Sequence, residues 1–134
     1  MKTKSKISEL YGVVNKMKVI IAGGTTFDSM DHMNLCLDDM VDEIETIVSG
    51  RGYGADALAE VFAIQHGIDL ELFPSNWGRY GSNAGYNRWV KVFETQNIDQ
   101  VILFWDGKSK GTKTLRDLVR EFDVPCEMFY YEDI

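Results

Sequence analysis

The chain has 134 residues and a net charge of −7, with 45% hydrophobic and 26% charged residues. This length and composition indicate one globular domain with its own core, and they argue against a disordered or low-complexity chain. The acidic balance argues against general nucleic-acid binding, which normally uses a basic face. No apolar run reaches membrane-spanning length, so we expect a cytoplasmic protein without membrane attachment.

The N-terminal region carries several lysines and only a weak structural pattern, so residues 1–17 are predicted to form an arm. A single domain is predicted over residues 18–134. It begins with the apolar run 18–22, which is typical of a buried parallel strand and ends at Gly23-Gly24. Apolar residues at helical spacing then predict a helix over about residues 29–45, with Asp28 as its N-cap and its acidic residues facing solvent.

The rest of the chain alternates between strand and helix patterns. Strands are predicted over residues 46–49, 68–73, 100–105 and 124–130, and helices over residues 55–66, 86–95 and a segment after residue 112. This alternation predicts an α/β fold, a Rossmann-like three-layer sandwich with about five mostly parallel strands flanked by helices. Three glycine-rich turns follow strands, so all three are expected at the carboxyl edge of the sheet, where such folds bind ligands.

The turn after the second strand reads Ser49-Gly50-Arg51-Gly52-Tyr53-Gly54-Ala55-Asp56. Its glycines allow a ligand to approach the backbone, and the next helix offers free N–H groups to an anion. The spacing matches a dinucleotide motif only loosely, and a plain tight turn is the alternative. Asp56 has three open roles: capping the helix, accepting a ribose hydroxyl, or orienting Arg51.

The turn after the fourth strand reads Asp106-Gly107-Lys108-Ser109-Lys110-Gly111-Thr112. Backbone N–H groups, hydroxyls and ammonium groups together are typical of a phosphate cradle, although the order is not that of a Walker A loop. The alternative is a solvated loop. The first turn, with Gly23, Gly24 and Thr25, is as compatible with a plain turn as with ligand contact.

Residues 75–85 form a polar loop that carries Trp77 and Tyr80. These aromatic side chains have two equally open roles, stacking on a base or pinning the loop to the sheet. Arg88 is a candidate phosphate ligand. His32 and His66 are expected at the surface, and no cysteine or histidine shows metal-ligand spacing, so no metal site is expected.

Together these turns resemble the YspA-type, YpsA-related branch of the SLOG superfamily. The residues that carry the resemblance are the second turn, Trp77, Tyr80-Gly81, Ala84-Gly85 with Arg88, and Phe104 to Thr112. The resemblance implies a Rossmann-like fold in a phage or bacterial protein. Its relatives include DNA-processing protein A, the Lonely Guy phosphoribohydrolases and sensor domains for nucleotide-derived signals.

Two departures from the family pattern bear on chemistry. The branch commonly has asparagine after the arginine, whereas Trp89 follows Arg88 here. The phosphoribohydrolases carry a glutamate three residues after Gly-Thr, and that position is Leu115, which cannot act as a general base. Cleavage of the N-glycosidic bond by that mechanism is therefore not expected.

The leading hypothesis is a binding protein for a nucleotide or nucleotide-derived phosphate ligand, of the ADP-ribose or NAD type. No other cofactor is expected. The alternatives are a nucleotide or nucleoside-phosphate hydrolase, with Asp56 or Asp106 as base and Arg88 or Lys108 on phosphate, and a DNA-processing accessory protein. A homodimer or larger homo-oligomer is expected, because the methionine-rich first helix could exceed what its own sheet covers.

Overall fold

A computed structural model describes residues 16–74 and 84–132. The elements alternate along the chain as strand and helix. They are β1 (Met17–Gly23), α1 (Met30–Leu37), a 3₁₀ helix (Asp38–Glu43), β2 (Ile44–Ser49), α2 (Ala55–His66), β3 (Asp69–Leu72), α3 (Ala84–Thr95), β4 (Gln100–Trp105), α4 (Lys110–Glu121) and β5 (Cys126–Tyr130).

The five strands form one sheet in the order β3-β2-β1-β4-β5, and every neighbouring pair is parallel. The chain moves outward from β1 through β2 to β3 and then crosses to β4 on the other side of β1. The strand order therefore reverses beside β1, and the carboxyl ends of β1 and β4 flank this switch point. The predicted Rossmann-like α/β fold is confirmed.

Helices cover both faces of the sheet because its central strands are apolar on both sides. Val19 and Ile21 of β1 pack in one cluster with α1 and α2, whereas Ile20 and Ala22 pack in a second cluster with α3 and α4. The inward residues of α4, which are Leu115, Leu118 and Val119, lie in this second cluster, and Leu115 is only 1% exposed. The predicted three-layer arrangement is therefore also confirmed.

The first helix is shorter than predicted. It ends at Leu37, the chain continues as a 3₁₀ helix, and β2 begins at Ile44. Acidic side chains at Asp38 and Asp39 oppose the helix dipole at this end, and the last turn has no basic residue to offset them. Glu43 is buried rather than solvated, so the prediction of a continuous acidic face was wrong there.

The N-cap of α1 is Ser29, not Asp28, because the Ser29 side chain accepts a hydrogen bond from the His32 N–H at 3.1 Å. His32 is half-buried instead of lying at the surface, with its ring 5.6 Å from that of Phe27. At the other end of the next helix, Gly67 terminates α2 in the left-handed conformation, as predicted.

The three turns at the carboxyl edge are named here by the strands that they follow. The β1 turn is residues 23–29, the β2 turn is residues 49–54, and the β4 turn is residues 106–109. Because all strands are parallel, the three turns lie at one edge, as predicted. In the part of the chain that the structure describes, no helix has the length and apolar character needed to cross a membrane.

The methionines of the first helical region do not form an outer surface. Met33 and Met40 are buried in the cluster beneath α1 and α2, and Met30 packs against it. Leu35 is the large apolar residue that α1 leaves exposed, at 79%. Exposed methionines therefore do not support the predicted homo-oligomer, which stays a prediction. The predicted arm falls on residues 1–17, of which 1–15 lie outside the described residues.

Candidate functional site at the carboxyl edge of the sheet

The β1 and β2 turns contact each other through their main chains. The Ala55 N–H donates to the Gly24 carbonyl at 3.1 Å, and the Gly24 N–H donates to the Phe104 carbonyl at 2.9 Å. Gly54 has a φ of +69°, and a Cβ atom there would overlap the Gly24 carbonyl oxygen and lie 2.6 Å from the Thr25 carbonyl oxygen. Glycine is therefore required at position 54 by the chain itself, because only it allows the two turns to touch.

Asp56 lies inside the β2 turn. Its side chain is 6% exposed, and its Oδ2 atom accepts a hydrogen bond from the Gly52 N–H at 3.0 Å. Oδ1 is buried and has no hydrogen-bond partner among the described residues. Burial raises the pKa of Asp56 to about 6, against the lowering effects of the Gly52 N–H and the Arg88 guanidinium. Asp56 does not cap α2, whose N-cap residue Gly54 has no side-chain cap.

Arg88 approaches the same turn from α3. Its Nη1 atom donates to the Gly50 carbonyl at 3.0 Å, and its guanidinium carbon lies 4.3 Å from the centre of the Trp89 ring. The Nε atom is buried and lacks a partner within the described residues. Burial lowers the pKa of Arg88, and the opposite charge of Asp56 partly offsets this. Arg88 thus joins α3 to the β2 turn.

Glu60 was missed in the sequence, and it holds the remaining polar groups of the turn. Its Oε2 atom accepts from the Ser49 hydroxyl at 2.8 Å, and its Oε1 atom lies 3.3 Å from Arg51 Nη1. The Arg51 N–H in turn donates to Ser49 Oγ at 3.1 Å. Glu60, not Asp56, therefore orients Arg51. The signal was available, because Glu60 lies four residues after Asp56 and thus on the same side of α2.

The β4 turn is organised by its own aspartate. Asp106 Oδ1 accepts from the N–H groups of Lys108 and Ser109 at 2.9 and 2.8 Å, and these bonds lower the pKa of Asp106. Two backbone donors predicted to cradle phosphate are therefore already occupied. The Trp105 indole closes the turn by donating to the Ser109 carbonyl at 3.0 Å.

The second half of this predicted loop belongs to a helix. Residues 110–112 form the first turn of α4, where the Thr112 and Ser109 hydroxyl oxygens lie 3.2 Å apart. Apart from the neighbouring main chain, no described atom lies within 4 Å of a Cβ atom built on Gly111 or on Gly107. Gly107 has a φ of +83°, which favours glycine, whereas nothing in the described residues demands glycine at position 111.

A cavity of about 650 Å³ lies between the β1 turn, the β4 turn and the end of β5. Its described lining residues are Phe27, Asp28, Ser29, His32, Asp106, Tyr130, Tyr131 and Glu132. Three of these side chains are carboxylates, those of Asp28, Asp106 and Glu132, and Asp106 is the one described lining residue from the predicted phosphate-binding set. The β1 and β2 turns therefore touch through their main chains, whereas the β4 turn and the β1 turn border an acidic cavity.

Two predicted site residues, Trp77 and Tyr80, lie outside the described residues. A different aromatic side chain covers the β1 turn, because the Tyr131 hydroxyl lies 2.9 Å from Thr26 Oγ1. Its phenol also occupies the space above Gly24 that a Cβ atom would take. Thr25 is exposed beside it. The sequence pattern did not single out Tyr131, which follows the last strand.

A known protein family matches part of this chain. Residues 17–80 match the model of the YspA, cpYpsA-related SLOG family, known as YAcAr. This segment includes β1, β2 and both of the turns that touch. Over this segment, which is just under half of the chain, the sequence matches the YspA-type SLOG family. The predicted resemblance is confirmed.

Two other similarities are partial. A 2-succinyl-5-enolpyruvyl-6-hydroxy-3-cyclohexene-1-carboxylate synthase from Renibacterium salmoninarum is 32% identical over 80 residues, which is 58% of this chain and 14% of that protein. The chain thus spans only a small part of that relative's length. The C-terminal domain of a hydrogenase from Pyrococcus furiosus aligns with 87% of this chain and 94% of its own, at 15% identity and a TM-score of 0.40.

Both departures from the pattern of the family that the sequence resembles lie in the core. Leu115, at the phosphoribohydrolase glutamate position, is buried beneath the sheet. Trp89, at the position of the usual asparagine, is 3% exposed and packs in the same cluster. Neither side chain offers a proton-transferring group.

Proposed function

We propose that the chain binds a nucleotide or nucleotide-derived phosphate ligand, of the ADP-ribose or NAD type, beside the β1 and β2 turns. The observation that carries the proposal is the main-chain contact between these turns, with Gly54 packed on Gly24 and Thr25. It forms one continuous backbone surface at the carboxyl edge of the sheet. The match to the SLOG family supports a nucleotide-related ligand.

The electrostatics of this surface favour an anion. The Arg51 side chain is 51% exposed and is held in place by Glu60, so its remaining N–H groups are available to a ligand. The N-terminus of α2 has no side-chain cap. Its Ala55 N–H is taken by the Gly24 carbonyl, and the partial positive charge of the helix points toward the same turn. We assign the phosphate contact to Arg51 and to the start of α2.

The proposal is tested by calorimetry with ADP-ribose, NAD, ATP and cyclic nucleotides. At least one should bind at sub-millimolar concentration, and Arg51→Ala should weaken that binding by about tenfold or more, through loss of a charge-assisted hydrogen bond. Asp39→Ala, at an exposed site on the 3₁₀ helix, is the control and should bind as wild type does. Absence of binding by every nucleotide would refute the proposal.

A hydrolase is the second candidate, and the buried carboxyl of Asp56 favours it. A pKa of about 6 suits a general base near neutral pH, and the Arg88 guanidinium lies on the same side of the turn. Asp106 is a poorer base, because hydrogen bonds from Ser109 and Lys108 lower its pKa. Turnover of a bound nucleotide, followed by chromatography and abolished in Asp56→Asn, would support this candidate, and unchanged nucleotide would exclude it.

The cellular location, a DNA-processing role and self-association remain predictions. A cytoplasmic location is inferred from the sequence alone. A DNA-processing role is disfavoured by the net charge of −7. Self-association would bury Leu35, which is 79% exposed, and light scattering at high concentration tests it. A clean monomer would contradict the prediction of a homodimer.

A further inference from the structure

We propose that Asp56 and Arg88 together form a subsite for a sugar hydroxyl of the ligand, so that the chain selects ribonucleotides over deoxynucleotides. This inference rests on the proposed function and adds a discrimination that phosphate contacts alone do not give. Phosphate groups are the same in ribonucleotides and deoxynucleotides. A residue pair that binds the sugar is therefore needed to distinguish them.

Both side chains converge on one glycine of the β2 turn. A Cβ atom built on Gly50 would lie 2.8 Å from Arg88 Nη1 and 3.1 Å from Asp56 Oδ2. The acid from α2 and the base from α3 thus approach the turn at the same point, although they are 32 residues apart in the sequence. A side chain at position 50 would have to displace one of them.

Each side chain uses one polar atom on the turn and leaves another without a partner. Asp56 binds the Gly52 N–H through Oδ2, and Arg88 binds the Gly50 carbonyl through Nη1. Asp56 Oδ1 and Arg88 Nε are buried, and neither has a partner within hydrogen-bond distance among the described residues, although the Gly23 N–H also acts on the Asp56 carboxyl and lowers its pKa. Buried polar atoms are paired in most native proteins, and an exception calls for a ligand, an ion or an ordered water.

The two atoms are complementary in kind, since one is an acceptor and the other a donor. A hydroxyl is the smallest group that serves both, because it donates to a carboxylate oxygen and accepts from a guanidinium N–H. A phosphate does not fit Asp56 Oδ1, since its oxygens carry no proton to donate when ionised and are repelled by the carboxylate. A cation is disfavoured by the charge of Arg88. The opposite charges of the pair suit a neutral polar group.

The test compares matched nucleotides by calorimetry at pH 7.5. The probes are ADP, 2′-deoxy-ADP and 3′-deoxy-ADP, which carry the same phosphates and base. Wild type should bind ADP about ten- to a hundredfold more tightly than at least one deoxy form, the range expected for a lost hydrogen bond to charged groups. Asp56→Asn and Arg88→Lys should reduce that ratio by about tenfold. Asn keeps an acceptor for the Gly52 N–H, and Lys keeps the positive charge.

Two controls separate this subsite from the rest of the site. Arg51→Ala should weaken ADP and its deoxy forms equally, because it removes a phosphate contact, and Asp39→Asn should change nothing. Equal affinity of wild type for ADP and both deoxy forms would overturn the subsite while leaving the proposed function intact. Absence of binding by all three, and by the nucleotides of the first test, would overturn both. A preference for ADP that persists unchanged in folded Asp56→Asn and Arg88→Lys would also overturn the subsite, because other residues would then make the selection.

Discussion

The β2 turn and the β4 turn have similar glycine-rich sequences but differ in how the chain holds them. The β2 turn is held from inside by side chains of two helices, Asp56 and Glu60 of α2 and Arg88 of α3. The β4 turn is held by its own Asp106 and by Trp105. One is therefore fixed to the core of the fold, and the other is closed locally at the surface.

This difference shows that a glycine at such an edge can be required for main-chain packing or can lie at the surface with no packing role. Gly54 allows two main chains to touch, whereas a Cβ atom on Gly111 would meet open space. Charged residues differ in the same way. Arg51 has a fixed partner in Glu60, and Lys108 is exposed with no ion pair to any described residue. The β2 turn is thus the more pre-organised surface for a ligand.

The largest expected effect is that of replacing Gly54. Gly54→Ala should lower the free energy of unfolding by about 2–5 kcal/mol, since it combines backbone strain at positive φ with overlap against Gly24 and Thr25. Gly111→Ala, in the first turn of α4 just after the β4 turn, is the control. It should be neutral or stabilise by up to about 1 kcal/mol, because alanine is the better helix former. Urea unfolding of both variants measures the difference.

The unfolding measurements test directly whether the two turns touch. Equal stabilities for Gly54→Ala and Gly111→Ala would show that the β1 and β2 turns are not in contact. The steric role of Gly54 also determines which variant can probe the ligand site. A larger residue at position 54 acts on the fold, so loss of binding in such a variant says nothing about the ligand. Arg51→Ala is the better probe.

The next effect is a pH dependence that belongs to Asp56. Its pKa is raised from 3.8 to about 6 in the folded chain, mainly by burial. The folded state therefore holds this proton more tightly than the unfolded state. The stability that results is fully present below the unfolded pKa and is lost as pH rises through about 6. The shift of about 2 units corresponds to about 3 kcal/mol.

Asp56→Asn isolates this contribution. Its stability relative to wild type should rise by about 2–3 kcal/mol between pH 4 and pH 7.5, because the variant has no buried charge to form. Asp39→Asn, at an exposed carboxyl, should show a much smaller change over the same range. A relative stability of Asp56→Asn that stays constant with pH would mean that the Asp56 carboxyl is solvated.

The sequence predicted most of the sheet because strand patterns reflect burial on both faces. β4 was placed at its observed bounds, since Gln100–Trp105 is buried at every position. The end of α1 was missed, because apolar spacing continues through Met40 while the dipole and two aspartates end the helix. Periodicity reports which side of a segment is buried, and it does not report whether i→i−4 hydrogen bonding continues.

The site was predicted less well than the sheet, for a different reason. Glycine-rich turns after parallel strands could be placed at one edge from the topology alone. Which polar groups are used inside each turn depends on side-chain directions. Asp106 was predicted as a ligand contact or a base, and it closes its own turn. Glu60 was not singled out, because a glutamate within a helix ordinarily faces solvent.

A smaller effect is expected from Glu60. Glu60→Gln keeps an acceptor for the Ser49 hydroxyl but removes the ion pair with Arg51, which is half-exposed. The free energy of unfolding should fall by about 1 kcal/mol or less. Nucleotide affinity should also fall, by about threefold or more, since Arg51 is then no longer held in one orientation. Glu121→Gln, near the end of α4, is the control. Calorimetry showing unchanged affinity would mean that Arg51 needs no support.

The smallest effect is expected at Lys108 in the β4 turn. Its side chain is exposed, and the N–H group of Lys108 binds Asp106 whatever the side chain is. Lys108→Ala should therefore change the free energy of unfolding by less than about 0.5 kcal/mol. Its ammonium would act on a phosphate at the β2 turn only through solvent. For two unit charges about 8 Å apart in water, the attraction is about 0.5 kcal/mol, which corresponds to about twofold in affinity. Salt screens that interaction, so the twofold loss should vanish at about 0.5 M salt, while the loss in Arg51→Ala persists. A tenfold loss in Lys108→Ala that survives high salt would place the phosphate on the β4 turn instead.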